Sequence, residues 1–432
     1  MKEYAGKILI IVQNLPVPFD RRVWLESKTL TAHGYKVSVI SPKSSEYAKS
    51  REVIDDIAIY RYRIPFDAEG KLSYVAEFLY AWLATAWLSL RVLVREGFDV
   101  IQACNPPDTY FLLGLIYRLF GKVFVYDHHD LSPEMFQAKF SRRHRRLYRM
   151  LLALERMTFR TAKIVISTND SYREVAIRRG GKKPQDVYVV RTGPDMKNLI
   201  LRVPDAALKQ GRRYLVCYLG EMCPQDGVDY LLRAIHHLSH HYRRQDVFFT
   251  LIGGGPAVPK LKELCTAMHL DDRVLFTGRL PDDQVCRYLS TADVCVDPDP
   301  WSEWADQSTM NKILEYMAFA KPIVAFDLKE ARNTAQRAAL FAKPNDVTMF
   351  SEKVNFLLNS PALRKEMGAF GRKRIIRELS WEYSIANLLA AYDRVFDKQA
   401  APAVQPAIQP VVEDKRFIRP AEIELKHAPL HV

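Results

Sequence analysis

Short apolar runs alternate with longer segments of mixed polarity, and both halves of the chain repeat this pattern. The first half predicts six strands, with the third expected at a sheet edge: 7–12, 36–42, 57–64, 99–104, 122–127 and 162–168. The second half predicts five strands: 213–220, 247–253, 273–278, 292–298 and 322–326. Apolar strands separated by helices are typical of parallel sheets covered on both faces. The pattern therefore predicts an α/β protein with two Rossmann-like, doubly wound domains.

The length of 432 residues is sufficient for two such domains. We predict a first domain over 1–195 and a second over 196–380. An amphipathic helix is predicted over 381–398. Residues 399–432 are rich in Pro and Ala, which predicts a disordered tail.

The net charge of +13 indicates an anionic partner, such as a nucleotide, a nucleic acid or a membrane surface. Nine Lys/Arg residues but a single acid, Glu155, lie within 139–163. Arginines and leucines at helical spacing on different faces predict an amphipathic helix that suits anionic lipid headgroups. A surface helix packed on its own domain explains the same pattern. The sequence contains no nucleic-acid-binding motif, so we expect no nucleic acid partner.

Two further features bear on location. The apolar segment 78–90 has 13 residues, fewer than the roughly 20 needed to span a bilayer. It predicts a buried helix over the sheet, with a membrane-facing helix as the alternative. The six cysteines form no C-x-x-C pair, which predicts reduced thiols in a cytoplasmic protein.

The stretch 306–327 predicts a polar loop, a helix and a buried strand. Helix N-termini attract anions through unpaired backbone N–H groups and the helix dipole. Ser308 or Thr309 is expected to cap this helix, with Asn311 and Lys312 in its first turn. Glu315 lies about one turn further, where it is placed to accept hydrogen bonds from sugar hydroxyls.

This stretch resembles the donor site of the GT4 family of retaining glycosyltransferases, which have the GT-B fold. The family has two glutamates separated by seven residues, then a Lys-Pro-hydrophobic run. Glu315 matches the second glutamate and AKPIVAF matches the run, whereas Gln307 replaces the first glutamate. The resemblance covers roughly residues 7–397. It implies transfer of a sugar from a nucleotide-sugar donor to an acceptor hydroxyl, with retention of configuration and without a metal or cofactor. The helix at 381–398 resembles the element that crosses back to the first domain.

The resemblance also implies the remaining donor contacts. The loop after strand 213–220 lies by the diphosphate in the family, but Glu221 and Asp226 stand where basic residues are common. Lys312, Arg191 or helix N–H groups would then neutralise the diphosphate. The predicted donor-binding residues are Gly220, Asp226, Gly227, Gly253, Gly254, Arg279, Leu280, Gln307, Ser308, Thr309, Asn311 and Lys312.

The segment YDHHDLSPE at 126–134 ends a first-domain strand. The family resemblance implies that His129 and Asp130, and less directly His128, face the transferred sugar. The predicted catalytic residues are therefore His129, Asp130 and Glu315. A metal centre for phosphodiester hydrolysis is the alternative, although adjacent strand residues point to opposite faces. Acceptor-side candidates follow two other strands: Asp20, Arg21, Arg22 and Asn105.

The implied acceptor is lipid-linked or a glycan, in the assembly of cell-surface polysaccharide. The basic segment 139–163 would then bind an anionic membrane surface. The protein is expected to be cytoplasmic, or peripheral on the inner face of the cytoplasmic membrane. Two alternatives remain open. One is a nucleotide-sugar 2-epimerase with the GT-B fold, and the other is a non-catalytic subunit that binds a sugar nucleotide.

Overall fold

The computed structural model describes residues 3–64, 71–140, 144–197 and 199–397. The first eight strands form one sheet in the order β3-β4-β2-β1-β5-β6-β7-β8. They are β1 (Lys7–Ile11), β2 (Lys36–Pro42), β3 (Arg51–Ile54), β4 (Ile57–Tyr62), β5 (Val100–Cys104), β6 (Val123–His128), β7 (Ile164–Ser167) and β8 (Val187–Val189). All neighbours are parallel except β3 and β4, which are antiparallel.

The edge position predicted for 57–64 is wrong, because β3 pairs with β4 and forms the edge itself. The four residues of β3 alternate between exposed and half-buried positions, so the sequence shows no continuous apolar run there. The first-domain helices are α1 (Arg21–Ala32), α2 (Lys71–Arg95), α3 (Phe111–Arg118), α4 (Ser132–Phe140), α5 (Arg145–Thr161) and α6 (Asp170–Arg178).

The second sheet is parallel throughout, in the order β11-β10-β9-β12-β13-β14. Its strands are β9 (Tyr214–Leu219), β10 (Val247–Ile252), β11 (Val274–Gly278), β12 (Val294–Asp297), β13 (Ile323–Phe326) and β14 (Ala339–Ala342). The helices after β9 are α7 (Val228–His240), α8 (Val258–Ala267), α9 (Asp282–Thr291), α10 (Glu303–Gln307), α11 (Asn311–Ala318), α12 (Lys329–Ala335), α13 (Val347–Leu358), α14 (Pro361–Arg374) and α15 (Trp381–Val395). The predicted fold class of two Rossmann-like parallel-sheet domains is confirmed.

Helix α15 returns to the first domain and packs beside α1. The indole N–H of Trp381 donates to Thr29 Oγ1 over 3.0 Å, and the Tyr392 hydroxyl donates to Gln102. Lys398 at the end of the predicted helix and the predicted tail 399–432 lie outside the described residues.

Helix α2 is longer and less buried than the 78–90 segment predicts. It has 25 residues, and over Val75–Arg95 one face is buried against the sheet. Ala81 and Val92 lie in that core, whereas Leu83 and Trp87 are exposed on the opposite face. A fully buried helix is therefore the wrong prediction. The basic segment 139–163 also differs from one continuous helix, because α4 ends at Phe140, α5 begins at Arg145, and Arg142 lies outside the described residues.

Candidate active site

The two domains meet at a cleft bordered by the carboxyl ends of their parallel strands, where open α/β sheets bind ligands. Several hydrogen bonds cross this cleft. Asn169 Nδ2 donates to Thr309 Oγ1 over 3.0 Å, and the hydroxyls of Tyr172 and Ser308 are 2.8 Å apart. Ser171 Oγ donates to the buried Glu330 over 2.7 Å.

These contacts explain why the predicted helix cap is wrong. Helix α11 begins after Met310, and no side chain caps it. The side chains of Ser308 and Thr309 instead bond to the first domain, while Ser308 also donates to Trp304 O over 2.7 Å. The loop before α11 therefore joins the domains, and the first N–H groups of α11 are left without a side-chain cap. Asn311 lies exposed at the start of the helix.

The first-domain wall of the cleft contains the Arg22 cluster, which comprises Arg22, Glu26, Asp127 and His129. The buried guanidinium of Arg22 donates to Asp127 Oδ1 over 2.8 Å and lies 3.2 Å from Glu26. Burial alone would raise the pKa of Asp127, but Arg22 and then His129 lower it well below its usual range. For Glu26, burial and the Asp127 charge raise the pKa to about 8. One buried guanidinium thus serves two carboxylates, of which Asp127 is the ionised one.

His129 is held at the cleft by two members of this cluster. Its Nε2 lies 2.8 Å from Asp127 Oδ2 and 2.9 Å from Arg22 Nε. One ring nitrogen cannot donate to a carboxylate and accept from a guanidinium at the same time, so the tautomer selects the partner. Burial opposes the charged ring, but Asp127 outweighs burial and raises the pKa of His129. The carboxylate therefore favours the Nε2–H form.

Asn105 shapes the turn that carries His129 and Asp130. Its Oδ1 accepts from the backbone N–H groups of His129 and Asp130 over 2.6 and 3.1 Å, and its Nδ2 donates to Asp130 O over 2.6 Å. Asn105 is 1% exposed, so it positions the turn and does not contact an acceptor, contrary to the prediction. Burial raises the pKa of Asp130, whose carboxylate accepts from Trp304 across the cleft over 3.4 Å.

His128 points away from the cleft, among the rings of Tyr126, Phe159 and Tyr172. Burial and then Arg179 lower the pKa of His128 to about 3, so the ring is neutral at physiological pH. It cannot contact a sugar in the cleft. Asp20 is also buried, and it caps α1 by accepting from the Val23 N–H over 3.0 Å.

The second-domain wall contains the Lys312 cluster, which comprises Lys312, Asp297 and Asp299. The ammonium lies 3.1 Å from Asp297 Oδ1 and 2.8 Å from Asp299 Oδ1, and both carboxylates are buried. Burial would lower the pKa of Lys312, but the two carboxylates raise it well above its usual range. Burial and then Asp297 raise the pKa of Asp299 well above its usual range. The positive charge of Lys312 is thus already paired before any diphosphate arrives.

Most of the predicted donor-loop glycines are needed for contacts between loops. A Cβ on Gly253 would lie 1.9 Å from Gly220 O, and one on Gly227 would lie 2.0 Å from Pro298 O. Gly254 differs, since the nearest atom to its added Cβ is Arg279 Cγ at 3.7 Å. The glycines therefore bring the loops after β9, β10 and β12 together, and Gly254 faces more open space.

Other predicted donor residues already have protein partners. Asp226 Oδ2 accepts from the Cys223 N–H over 2.7 Å, and burial raises the pKa of Asp226. Gln307 Nε2 donates to Glu303 O over 3.0 Å. Arg191, the alternative cation, pairs with Asp170.

Two exposed arginines, one from each domain, form contacts across the cleft. Arg21 Nη1 donates to Glu315 Oε1 over 2.7 Å, and Nη2 donates to Asp282 Oδ1 over 3.0 Å. Burial raises the pKa of Glu315, and Arg21 opposes this effect. The guanidinium of Arg279 lies over the ring of Phe19 at 5.3 Å, and Leu280 beside it is half-buried. The cleft therefore brings Arg21 together with Glu315, a pairing absent from the sequence interpretation.

The chain matches the family model described as Glycosyltransferase Family 4 over residues 20–198 and the model described as Glycosyl transferases group 1 over residues 213–360. It belongs to the group 1, GT4-like glycosyltransferases. The protein is 24% identical to the MMP alpha-(1->4)-mannosyltransferase of Mycolicibacterium hassiacum, over 87% of this chain and 94% of that relative.

Two further similarities of this glycosyltransferase differ in extent. It is 29% identical to an alpha-D-kanosaminyltransferase from Streptomyces kanamyceticus over 36% of its own length, and this match spans only 39% of that relative. A crystal structure of Anabaena Alr3699/HepE in complex with UDP and glucose has the same fold, with a TM-score of 0.68. That comparison covers 90% of this chain and 99% of the other at 17% identity. The GT-B fold expected from the sequence is confirmed.

Among the residues that the structure describes, one group meets the distance requirement for a metal site. Ligand atoms of Cys104, Asp127 and His129 lie within 4.8 Å of one another. Arg22, however, already donates to Asp127 over 2.8 Å, and burial with the Asp127 charge raises the pKa of the Cys104 thiol well above its usual range. Metal binding requires a thiolate and an available carboxylate. These residues fit a metal ion poorly, because the guanidinium supplies the positive charge.

The sequence interpretation missed the residues that hold the charged groups of the cleft. Asp127 is the residue before the predicted histidines, and Asp297 and Asp299 belong to the DPDP segment that begins at the last residue of β12. Two carboxylates at a strand end were the available signal. Glu26 carried no such signal, because it reads as a surface residue of an amphipathic helix.

Proposed function

We propose that this glycosyltransferase moves a hexose from a nucleotide-sugar to an acceptor hydroxyl with retention of anomeric configuration and without a metal. The observation that carries the proposal is the 2.7 Å contact between Arg21 and Glu315 across the cleft. It joins the first residue of α1 in the first domain to the donor helix α11 in the second.

Donor binding would exchange the partners of Arg21. Glu315 would accept hydrogen bonds from ribose or hexose hydroxyls, and the released guanidinium would turn to the diphosphate. Arg21 suits this task because its side chain is 59% exposed, whereas Lys312 is enclosed by two carboxylates. The uncapped N–H groups of α11 would add further stabilisation of the leaving group.

In the proposed reaction, the bond between the anomeric carbon and the diphosphate oxygen breaks. The acceptor oxygen bonds to the same carbon, and its proton leaves with the nucleoside diphosphate. We assign His129 and Asp130 to holding the sugar, with no enzyme nucleophile. Closure of the cleft would exclude water, which would otherwise hydrolyse the donor.

The acceptor is proposed to be a lipid-linked sugar or a glycan at the cytoplasmic face of the membrane, in assembly of cell-surface polysaccharide. The exposed arginines of α5 support this proposal, because they suit anionic headgroups. The UDP and glucose bound by HepE support a UDP-sugar as the first donor to test.

Donor turnover by the purified full chain tests the proposal. The donors are UDP-, GDP- and ADP-sugars, each assayed with and without a membrane lipid extract. Nucleotide release that requires the extract supports the proposal, and an isomeric sugar nucleotide without acceptor would replace it with the epimerase. Binding without turnover under every condition would contradict the proposed transfer.

Arg21→Gln sharpens this test. Loss of one group that stabilises the leaving diphosphate is expected to lower kcat/KM by about a hundredfold. Arg233→Gln is the matched control, since Arg233 is exposed on α7 and pairs with Asp229 of the same helix. Equal activity of both variants would remove Arg21 from the proposed role.

A further inference from the structure

The outer side of the first domain carries a ridge of apolar side chains along α2. Its members are spaced three or four residues apart and are 49–85% exposed: Val75, Leu79, Leu83, Trp87, Leu90 and Val94. The ridge is about 28 Å long at a rise of 1.5 Å per residue. Such a length of exposed apolar helix is unusual for a surface in contact with water alone.

The ridge continues over the two neighbouring helices. Ser89 on α2 and Tyr117 on α3 share a hydrogen bond of 2.7 Å, and α3 packs against α5. The outer face of α3 exposes Leu112, Leu115 and Ile116, and α5 exposes Met150 and Met157. We call the outer faces of α2, α3 and α5 the three-helix surface.

Basic residues flank this surface at both ends. The three helices contain nine Lys/Arg residues and two acids, and one of these acids, Glu155, is buried. A helix between two parallel strands runs antiparallel to them, so the start of each helix lies near the cleft. The three arginines Arg145, Arg146 and Arg149 therefore lie at the cleft end, and Arg91, Arg95 and Arg118 lie at the far end.

The arginines of α5 are available for an external partner. The five of them are exposed, and none forms an ion pair with another side chain in the described part of the protein. At the far end, the guanidinium of Arg91 lies over the ring of Trp87 at 5.5 Å, so charge and aromatic surface occur together. An apolar surface with aromatic side chains and basic flanks fits the interface of an anionic bilayer.

The segment Val75–Arg95 is long and apolar enough to span a membrane by length and composition. Its position in the fold argues against spanning. Ala81 and Val92 are buried in the core, and Thr85 and Ser89 lie within hydrogen-bonding distance of Tyr110 and Tyr117. A spanning orientation would remove α2 from the sheet, whereas contact through the outer face preserves these interactions.

We propose that the three-helix surface docks the protein flat on an anionic lipid bilayer, with the apolar ridge in the interfacial region and the arginines on lipid phosphates. The starts of α2, α3 and α5 then bring the cleft to the membrane edge. This placement rests on the proposed function, because it would bring the cleft to an acceptor held in the membrane. Docking itself requires neither donor nor acceptor.

Vesicle co-sedimentation with the full chain tests the proposal. The vesicles contain phosphatidylcholine alone or phosphatidylcholine with phosphatidylglycerol, and no donor or acceptor is added. We expect binding to the phosphatidylglycerol vesicles. The combined variant Arg145→Gln, Arg146→Gln, Arg149→Gln is expected to weaken it roughly a hundredfold. The combined variant Leu79→Gln, Leu83→Gln, Trp87→Gln is expected to weaken binding more than tenfold.

Matched controls lie on the second domain, where Phe356→Gln removes an exposed apolar side chain and Lys262→Glu reverses an exposed charge. Both should bind like the unchanged protein, and all variants should melt at the same temperature. Absence of vesicle binding, or equal binding by the apolar variant, would overturn the proposal. A dimer in solution that the apolar variant dissociates would also overturn it, because a second copy would then be the occupant.

Activity and docking can fail separately. Donor turnover with a soluble acceptor sugar, without vesicles, reports only on the proposed transfer. Turnover without vesicle binding would contradict the docking proposal and support the proposed transfer. Vesicle binding without turnover would support the docking proposal and contradict the proposed transfer.

Discussion

The two walls of the cleft each bury one cation between two carboxylates, but the two clusters differ in what else they contain. In the first domain, Arg22 serves Asp127 and Glu26, and His129 stands beside them as a second group able to carry positive charge. In the second domain, Lys312 serves Asp297 and Asp299, and Asp226 adds further negative charge nearby.

Because of this difference, the two walls differ in the positive charge that each can offer to a ligand. The Arg22 cluster can gain a proton on His129, whose ring nitrogen faces Asp127 at 2.8 Å. The Lys312 cluster has no second group of this kind, and both of its carboxylates contact the ammonium. A diphosphate would therefore meet little free positive charge at the Lys312 cluster, whereas Arg21 from the first domain pairs with Glu315 and Asp282 but is exposed. The comparison predicts that the first cluster matters most for stability and the second for donor affinity.

The largest expected effect is on stability. Arg22→Met should lower the free energy of unfolding by about 3–5 kcal/mol, because it leaves the buried, ionised Asp127 without its cation. Urea denaturation measures the change. Arg233→Met on the surface of α7 is the control and should change stability by less than about 0.5 kcal/mol. Similar values for the two variants would show that the buried pair is unimportant to folding.

The second prediction concerns donor affinity. Asp299→Asn removes one carboxylate from Lys312, so more of the lysine charge should reach the diphosphate. Affinity for the nucleotide-sugar should rise about tenfold, which corresponds to about 1.4 kcal/mol. Calorimetric titration measures it.

Lys312→Met provides the reciprocal variant and should weaken donor binding. If Asp299→Asn also weakens binding, the Asp299 carboxylate contacts the donor directly, and the comparison of the two walls is incorrect.

The third prediction addresses the position that departs from the family pattern. Gln307 donates to the backbone carbonyl of Glu303, and a glutamate could not donate there when ionised. Gln307→Glu should therefore lower kcat/KM about fivefold, by about 1 kcal/mol. Gln307→Ala removes the hydrogen bond without adding charge, so it should lower kcat/KM less than Gln307→Glu does. A gain in activity with glutamate would instead indicate an impaired donor site.

The smallest expected effect is the pH dependence from His129. Asp127 raises the pKa of His129 above its ordinary value of 6.5, so the folded protein binds this proton more tightly than the unfolded chain. The resulting stabilisation is complete below about pH 6.5 and is lost as pH rises through the folded pKa.

Denaturation of the unchanged protein and His129→Asn across this pH range measures the difference. The variant should show a flatter profile in this window. Parallel profiles would mean that His129 contributes no proton-linked stability.

Much of the fold was predictable because the central strands are continuous apolar runs. Strands such as Lys7–Ile11 and Val247–Ile252 are buried almost throughout, and this burial requires apolar residues at successive positions. The short outer strands Arg51–Ile54 and Ala339–Ala342 were missed, since partial exposure permits polar or small residues and weakens the pattern. The full length of α2 was missed because the charged residues Glu77 and Arg91 end the continuous apolar run on either side of 78–90.

The candidate site was less predictable than the fold. The sequence marked Glu315 and Lys312 by their place on a helix after a polar loop. It could not show that Arg21, 294 positions away in the chain, donates to Glu315. Nor could it show that Ser308 faces Tyr172 instead of capping a helix. Each of these contacts depends on how two separately folded sheets face each other.

The sequence by itself determined the two α/β domains and the family resemblance, because both depend on local patterns of burial and on short motifs. Only the tertiary structure decided which charges are paired. Arg22 and Arg21 are adjacent in the chain, yet one is buried with Asp127 and the other reaches across the cleft. Their different roles follow from the direction of each side chain on α1, since one turns toward the sheet and the other toward the second domain.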